Sequence, residues 1–187
     1  MPAVIERHED RLFNTLDDLD VPRGYKAEIL GDGGIVMSPS PSGLHQHNIW
    51  ELDESLRSAL PPRIRTEDHL EIRMPHLGRS VIPDLFAAPI EVLATTEHHI
   101  PPDDVLLVAE VVSPGSQERD RDVKLGIYPA AAIPLYLLID PIRATATLYA
   151  TPRNGEYLES ETVTFGKPLK LPEPFGIDLD TGRFREY

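Results

Sequence analysis

The chain contains no cysteine among its 187 residues. Without thiols it can hold neither a disulfide framework nor a thiolate site, and cysteine usage indicates no redox compartment. No apolar run approaches the ~18 residues that cross a membrane, and the first residues, Met1-Pro-Ala-Val-Ile-Glu-Arg-His, lack the apolar core of a signal peptide. We therefore expect a cytoplasmic protein that does not span a membrane.

Nucleotide-binding and repeat signatures are also missing. The sequence has no P-loop, no Gly-x-Gly-x-x-Gly motif, no internal repeat and no low-complexity segment. Its composition, with 41% hydrophobic and 26% charged residues, is that of an ordinary globular protein. At this length a single domain, residues 1–187, can bury a sizeable core, and no second domain is predicted.

Positive charge is scarce. Lysine and arginine number 18 against 31 acidic residues, which gives a net charge of −13. Proteins that bind nucleic acid normally present a basic field to the phosphates, so this balance opposes DNA as a partner unless the cations gather in a local groove. The cations that could form such a groove are Lys124, Arg119, Arg121, Arg73, Arg79, Arg63 and Arg65. A small substrate, or a role without nucleic acid, is equally compatible with the charge.

One acid stands in the middle of an apolar segment. Residues 105–112 contain a single charged residue, Glu110, and this pattern predicts a strand buried on both faces. The alternation of strand side chains places Glu110 on the same face as Leu106, Val108 and Val112. Burying a carboxylate is costly unless it is paired, catalytic or bound to a cation, and the sequence leaves a plain ion pair as an equal alternative.

A second acid, Asp84, follows Pro83 in the shorter apolar run of residues 81–88. Proline has no N–H to give to a strand ladder and is unfavourable within a central strand. Asp84 is therefore expected near the start, the edge or a bulge of a strand.

The segment after Ser113-Pro-Gly predicts a helix with Ser116 as its N-cap, ending at Tyr128 before Pro129. The residues that share one face of this helix are Asp120, Val123, Lys124, Ile127 and Tyr128. Lys124 is thus expected to face the sheet, although a surface ion pair with Asp120 at i, i+4 is the simple alternative. Residues 133–140 then predict a second strand, parallel to the first, with a site expected at the Glu110 end.

The first third of the chain predicts a short helix over about residues 6–19 and a hairpin that joins residues 25–30 to residues 35–38. Gly31-Asp-Gly-Gly is the turn signal of this hairpin. Glu28 lies in its first strand, where an exposed glutamate is an equal alternative to a functional one.

A second helix is predicted over about residues 44–60, before Pro61. His45 lies on its apolar stripe, where a core or helix-start histidine is the commoner interpretation than a ligand. Residues 145–150 and 157–165 predict a late hairpin.

Several short motifs, in this order and at this spacing, together resemble the Uma2 family. They are Pro83-Asp84, Glu110-Val-Val-Ser-Pro, Arg119-Asp-x-x-x-Lys124-x-x-x-Tyr128 and Pro134-x-Tyr136-x-x-x-Asp140-Pro141, preceded by Glu28-x-x-Gly-Asp-Gly-Gly-x-x-x-Ser-Pro-Ser-Pro-Ser-Gly-x-His45. Single pieces are common, whereas the ordered set, over roughly residues 20–145, is specific. The family is classed among restriction-endonuclease-like proteins of the PD-(D/E)XK nuclease superfamily. The resemblance implies an α/β restriction-endonuclease-like core, a mixed central β-sheet flanked by helices.

The resemblance also implies roles for individual residues. In that superfamily the aspartate of the PD motif and the following acid bind Mg²⁺, and a lysine two residues after the acid orients or polarises the attacking water. Asp84 and Glu110 match the two metal ligands, for Mg²⁺ or Mn²⁺. Val112 stands where the lysine would be, and Lys124 occupies the place on the following helix that Uma2-like sequences use for it. The further candidate site residues are Glu28, His45 and Asp120.

The function implied by the resemblance is that of a metal-dependent endonuclease, a hydrolase that cleaves DNA phosphodiester bonds. Two carboxylates suit the oxygen coordination of Mg²⁺, and the Lys124 ammonium would add fixed positive charge. The alternative is a domain that keeps the nuclease fold without catalysis and serves as a binding or assembly module, for example as a homodimer. The acidic net charge and the valine at position 112 favour this alternative.

Overall fold

The structure of the protein is a computed structural model that describes residues 8–31 and 34–187. Its helices are α1 (His8–Asp17), α2 (Gly43–Arg57), α3 (Ile90–Leu93) and α4 (Lys124–Ala130). Its strands are β1 (Tyr25–Gly31), β2 (Gly34–Pro39), β3 (Ile64–Glu67), β4 (Glu71–Met74), β5 (Arg79–Val81), β6 (Leu85–Pro89), β7 (His99–Ile100), β8 (Leu107–Val111), β9 (Leu135–Asp140), β10 (Thr145–Arg153), β11 (Glu156–Thr164), β12 (Pro168–Leu171) and β13 (Ile177–Asp180). Within these ranges no helix is long and apolar enough to cross a membrane.

Two larger sheets contain most of the strands. The first has six strands in the order β11-β10-β9-β8-β6-β3, with β8 and β9 parallel and the other neighbours antiparallel. The second has five strands in the order β2-β1-β5-β4-β7, and β12 pairs with β13 alone. The mixed sheets with flanking helices confirm the predicted α/β class. A single central sheet was expected, but the strands divide between two because the chain leaves the five-stranded sheet at Pro83, after β5, and enters the six-stranded sheet at β6.

Strand β8 is the buried centre of the six-stranded sheet, as its apolar sequence predicted. All five of its residues are buried, and they face two different cores in alternation. Leu107 and Ala109 pack into one core with α2, whereas Val108 packs into the other with α4. Glu110 shares the face of Val108, as predicted. Leu106 was expected there too but packs against the first core, because it precedes the strand.

The helix between β8 and β9 is irregular at its start. Arg119–Val123 form a π-helical turn before α4, and the carbonyl of Asp120 accepts the hydroxyl of Tyr136. The wider turn carries Val123 outward, where it is 38% exposed, although a regular helix would place it on the buried face. Asp120 and Lys124 remain buried, so the surface ion pair considered for them is wrong.

Both ends of this helix differ from the prediction. The hydroxyl of Ser116 accepts from the N–H of Ser113 instead of capping the helix. Pro129 lies inside α4, which ends at Ala130. A proline in the last turn removes one backbone donor where the chain is leaving the helix anyway, so it does not stop the helix before itself.

The first two helices and the first hairpin are present close to their predicted positions. Residues 6 and 7 of the predicted first helix, and residues 32 and 33 of the predicted turn, lie outside the described ranges. Helix α2 ends at Arg57, earlier than predicted. In a helix the ring of a proline clashes with the carbonyl four residues earlier, and for Pro61 that carbonyl belongs to Arg57.

The late hairpin is confirmed by β10 and β11, which pair antiparallel. Strand β7 and the hairpin of β12 and β13 were not predicted. Strand β7 has two residues, and β12 begins at Pro168, so neither gives a clear alternating pattern.

An ion pair between Arg121 and Asp140 joins the π-helical turn to the end of β9. Its guanidinium donates from Nε to Asp140 Oδ2 at 2.8 Å and from Nη2 to Oδ1 at 3.0 Å, and the Asp140 side chain is 4% exposed. We expect Arg121→Met to lower the free energy of unfolding by about 3 kcal/mol, because it leaves a buried carboxylate without its bidentate partner. Urea denaturation followed by circular dichroism measures this loss.

Arg143→Met is the matched control for Arg121→Met. Arg143 also approaches Asp140, at 3.8 Å, but its side chain is 64% exposed. Its replacement should lower the free energy of unfolding by less than about 1 kcal/mol. Equal losses of unfolding free energy in the two variants would show that the buried ion pair stabilises the protein no more than the exposed one.

Candidate active site

A cleft of about 130 Å³ opens at the Glu110 end of β8. Its walls come from β1, β2, α2, the connection between β5 and β6, and the π-helical turn. Of the six predicted site residues, those that line it are Asp84, Glu110, His45 and Asp120. Glu28 and Lys124 are fully buried and do not line the cleft, although both belong to the charge network behind it.

Asp84 is held where the chain passes from one sheet to the other. Pro83 interrupts the strand between β5 and β6, and Asp84 directly precedes β6. Strands β6 and β8 pair Leu85 with Ala109. Continuing this register by one residue places Asp84 opposite Glu110, with both side chains on the same face of the sheet.

Three donors hold the Asp84 carboxylate. Oδ2 accepts from His45 Nε2 and from the N–H of Val111, each at 3.0 Å, and Oδ1 accepts from Lys26 at 3.3 Å. Burial would raise the pKa of Asp84, but the charges of Lys26 and His45 hold it well below its usual range. Burial would lower the pKa of the His45 imidazole, but its hydrogen bond to Asp84 and that residue's charge raise it. His45 therefore contacts a candidate site residue, in addition to its place on the buried face of α2.

Glu110 receives two hydrogen bonds on one oxygen. Its Oε1 accepts from Lys124 Nζ at 2.7 Å and from the hydroxyl of Tyr128. Burial raises the pKa of Glu110, and the charge of Lys124 opposes this only in part. The ion pair that the sequence left as an alternative is thus present, but it does not fully compensate the buried carboxylate.

Lys124 lies beneath the cleft surface. Its ammonium is 2.7 Å from Glu110 Oε1, 3.6 Å from Glu28 Oε1 and 3.8 Å from Asp120 Oδ1. Burial would lower the pKa of Lys124, but Glu110 and Glu28 raise it, so the ammonium stays charged. One buried cation therefore lies among three carboxylates.

Glu28 is fully buried, so the alternative of an exposed strand glutamate is wrong. Its Oε1 accepts from the N–H of Ile82 at 2.9 Å, whereas its Oε2 is buried without a hydrogen-bond partner in the described part of the chain. Burial would raise the pKa of Glu28, but Lys124 and Lys26 hold it below its usual value. Burial raises the pKa of Asp120.

Three residues of the site were not among the predicted ones. Lys26 contacts Asp84, Arg119 lines the cleft, and Tyr128 contacts Glu110. A signal for Lys26 existed in the alternation of strand side chains, since it lies two residues before Glu28 and therefore on the same face of β1. Tyr128 and Arg119 belong to the motif that carries Lys124, but a motif does not reveal which side chains meet.

Most of the seven cations that could have formed a basic groove do not line the cleft. Arg121, Arg73 and Arg63 each pair with carboxylates of neighbouring elements. Lys124 is buried, and of the seven proposed cations Arg119 alone lines the cleft. The positive charge of these three arginines is thus offset by acidic neighbours.

The hydroxyl of Tyr128 makes a testable contribution to this arrangement. Tyr128 is fully buried and its ring packs against Tyr136, with centroids 4.9 Å apart. We expect Tyr128→Phe to lower the free energy of unfolding by about 2 kcal/mol, because the buried Glu110 carboxylate loses a donor and no water replaces it. Chemical denaturation measures the change. Tyr149→Phe is the control, since its hydroxyl has no hydrogen-bond partner among the residues described, and a comparable loss there would refute the assignment.

The residues of the cleft fit a divalent cation. In the described ranges no group of three or more His, Cys, Asp or Glu side chains converges as a metal site. Mg²⁺ does not require one, because it is usually held by one or two carboxylates while waters and substrate phosphates complete its shell. Asp84 and Glu110 offer such a pair. Both hydrogen bonds to the Glu110 carboxylate fall on Oε1, which leaves Oε2 for an ion.

Comparison with known proteins agrees with the resemblance noted in the sequence. The Uma2 family model, described as "Putative restriction endonuclease", matches residues 13–182. The fold is similar to the crystal structure of "a putative nuclease belonging to DUF820" from Anabaena variabilis ATCC 29413. The TM-score is 0.72 at 18% identity, over 92% of this chain and 96% of that chain, so this likeness concerns the fold alone.

No curated protein matches the chain. Restriction-endonuclease-like families generally use divalent metal ions, in agreement with the paired carboxylates of the cleft. The predicted family and the restriction-endonuclease-like fold are both confirmed. The chain belongs to the Uma2 family.

Proposed function

We propose that the protein is an endonuclease that hydrolyses DNA phosphodiester bonds with Mg²⁺ or Mn²⁺. The observation that carries the proposal is the meeting of Asp84 and Glu110 on neighbouring strands at the cleft. These two acids lie on different strands and contact different cations. Asp84 contacts Lys26 and His45, whereas Glu110 contacts Lys124. An arrangement needed only for stability would be served as well by apolar residues.

Asp84 and Glu110 would hold the metal ion. When bound, the ion would lower the pKa of a coordinated water and offset negative charge that develops on the phosphodiester. The protein's own residues would prepare this site: His45 and the N–H of Val111 orient the Asp84 carboxylate, and Tyr128 fixes one oxygen of Glu110. These contacts hold the two ligands in place before the ion arrives, which is the condition for precise metal binding.

Lys124 would act from behind the carboxylates. Its ammonium lies in contact with Glu110 and near Glu28 and Asp120, and it is fully buried. In this place it favours the ionised form of the acids and orients Glu110, a positioning role that differs from the water-orienting role implied by the family resemblance.

A binding or assembly module without catalysis remains the second candidate. It is favoured by the net charge of −13 and by the pairing of Arg121, Arg73 and Arg63 with acids, which leaves little free positive field for duplex DNA. Such a module would bind a protein partner, or a second copy of the chain, instead of cleaving nucleic acid.

Metal titration distinguishes the two candidates. Calorimetric titration of Mg²⁺ or Mn²⁺ into the wild type should give binding that Asp84→Asn abolishes. In the presence of the ion the wild type, unlike Asp84→Asn, should nick supercoiled DNA or cut single-stranded DNA. Glu156→Gln, an exposed glutamate on β11, is the control and should bind and cleave like the wild type. Failure of the wild type to bind the ion or to cleave either DNA would overturn the proposed endonuclease.

A further inference from the structure

Lys124 cannot easily present a free donor to a substrate. Its ammonium donates a hydrogen bond to Glu110 and lies 3.6 Å from Glu28 Oε1 and 3.8 Å from Asp120 Oδ1, so three carboxylates surround it. The side chain is fully buried and does not line the cleft. A phosphate in the cleft would therefore have to find its positive charge elsewhere.

Lys26, unlike Lys124, has a hydrogen-bond donor available to a substrate in the cleft. Its ammonium donates to the carbonyl of Ile82 at 2.9 Å and to Asp84 Oδ1 at 3.3 Å, so two of its three donors have acceptors in the protein. Its side chain is 25% exposed and lines the cleft.

The position of Lys26 follows from the break in the chain at Pro83. Because no strand partner takes the backbone groups of Ile82, the side chains of β1 do so: Glu28 accepts from the Ile82 N–H and Lys26 donates to its carbonyl. The ammonium is thereby fixed beside Asp84 by contacts that do not depend on a ligand. A preorganised cation next to a metal-binding carboxylate is the arrangement that phosphate binding requires.

Arg119 is the second cation of the cleft wall. Its Nη1 donates to the Ser38 hydroxyl at 2.7 Å, while its Nε is buried, 3.8 Å from Asp120 Oδ1, without a hydrogen-bond partner in the described ranges. A guanidinium has five N–H donors in a planar fork that suits phosphate oxygens. Donors are therefore left over on Arg119 as well as on Lys26.

We propose that Lys26 and Arg119 together bind one phosphate group of the substrate in the cleft, with Lys26 on the side nearest Asp84. This inference rests on the proposed function for the identity of the substrate, and it transfers the substrate-contacting role from Lys124 to a lysine of β1. Lys124 then serves only to stabilise the buried carboxylates. Two cations in one small cleft bind a single phosphate of a strand and require no basic field over the rest of the surface.

Binding of a single-stranded thymidine dodecamer in Ca²⁺, followed by fluorescence anisotropy, tests the phosphate site apart from cleavage. Lys26→Met and Arg119→Gln should each weaken binding about tenfold, because each removes a charge-assisted hydrogen bond. Each should also reduce the magnitude of the slope of log affinity against log salt by about 0.7, the value for one phosphate contact on a single strand, which a purely structural residue would not change. Lys26→Gln, which keeps a donor for the Ile82 carbonyl, provides a second variant in case Lys26→Met does not fold.

Lys167→Met is the control, because Lys167 is exposed and lies outside the cleft lining. It should bind with the affinity of the wild type. Wild-type binding that is absent, or Lys26 and Arg119 variants that bind within about twofold of the wild type, would overturn the proposed phosphate site.

Cleavage of the same dodecamer and of supercoiled DNA in Mg²⁺ separates this proposal from the endonuclease. Binding that depends on Lys26 and Arg119 without any wild-type cleavage would overturn the endonuclease and support the phosphate site. Wild-type cleavage that survives both substitutions at full rate would support the endonuclease and overturn the phosphate site.

Discussion

Replacement of Glu110 by glutamine is expected to reduce the rate of DNA cleavage in Mg²⁺ by about a thousandfold, because the site loses one of the two carboxylates that would hold the ion. The amide still offers a carbonyl oxygen to Lys124 and Tyr128, so the local hydrogen bonds have an acceptor. Cleavage of supercoiled DNA under single-turnover conditions measures the rate, and circular dichroism checks that the variant is folded.

Glu156→Gln carries the same chemical change on an exposed strand and should cleave at the wild-type rate. A Glu110→Gln variant with undiminished cleavage would remove Glu110 from the metal site and leave it as the acid of a structural ion pair. Cleavage restored in that variant by Mn²⁺ but not by Mg²⁺ would support metal ligation, because Mg²⁺ demands near-ideal octahedral geometry and is the more sensitive of the two ions to an altered ligand.

Replacement of Lys124 by methionine is expected to lower the free energy of unfolding by about 4 kcal/mol. The substitution keeps the apolar stem but leaves Glu110, Glu28 and Asp120 buried at 1%, 0% and 2% exposure without the cation they share. A loss of this size is a large part of the stability of a typical domain. Urea denaturation of the wild type and the variant at neutral pH measures it.

A double variant separates the effect of charge from that of packing. Adding Glu110→Gln to Lys124→Met removes one of the stranded charges and should recover at least about 1 kcal/mol of the loss. Lys167→Met, the exposed control, should change the free energy of unfolding by less than about 0.5 kcal/mol. If the double variant is no more stable than Lys124→Met alone, the loss of stability comes from packing and not from the uncompensated carboxylates.

These two experiments examine opposite sides of one arrangement. Glu110 faces the cleft, where its removal should affect metal and rate, whereas Lys124 lies behind it, where its removal should affect stability. A protein that retains the network but has lost cleavage would show the Lys124 effect without wild-type activity. The pair of results therefore distinguishes a working nuclease from a module that has kept the fold.

Much of the fold followed from local sequence patterns. The apolar run that became β8 predicted a strand buried on both faces. Pro83 predicted that Asp84 would lie near the start, the edge or a bulge of a strand, and Asp84 directly precedes β6. The parallel pairing of β8 with β9 followed from the intervening helix. These features depend on side-chain periodicity and on backbone chemistry, both of which can be read in order along the chain.

The division of strands between two sheets did not follow from the sequence. Strand pairing joins residues far apart in the chain, such as Ile29 with Ser80, and many pairings are compatible with the same alternation. The π-helical turn was missed for a related reason. In this turn the Asp120 carbonyl accepts a hydrogen bond from the hydroxyl of Tyr136, a contact with the following strand that local sequence does not reveal.

The sequence by itself determined which residues could form the site: a buried acid in β8, an acid after Pro83 and a lysine on the sheet-facing side of a helix. Only the tertiary structure decided which cation meets which acid. Lys124 and Lys26 are both lysines near apolar residues in sequence, yet one is enclosed by three carboxylates and the other lines the cleft. The physical reason is that charge pairing and exposure depend on distances between separate elements, which the order of residues does not contain.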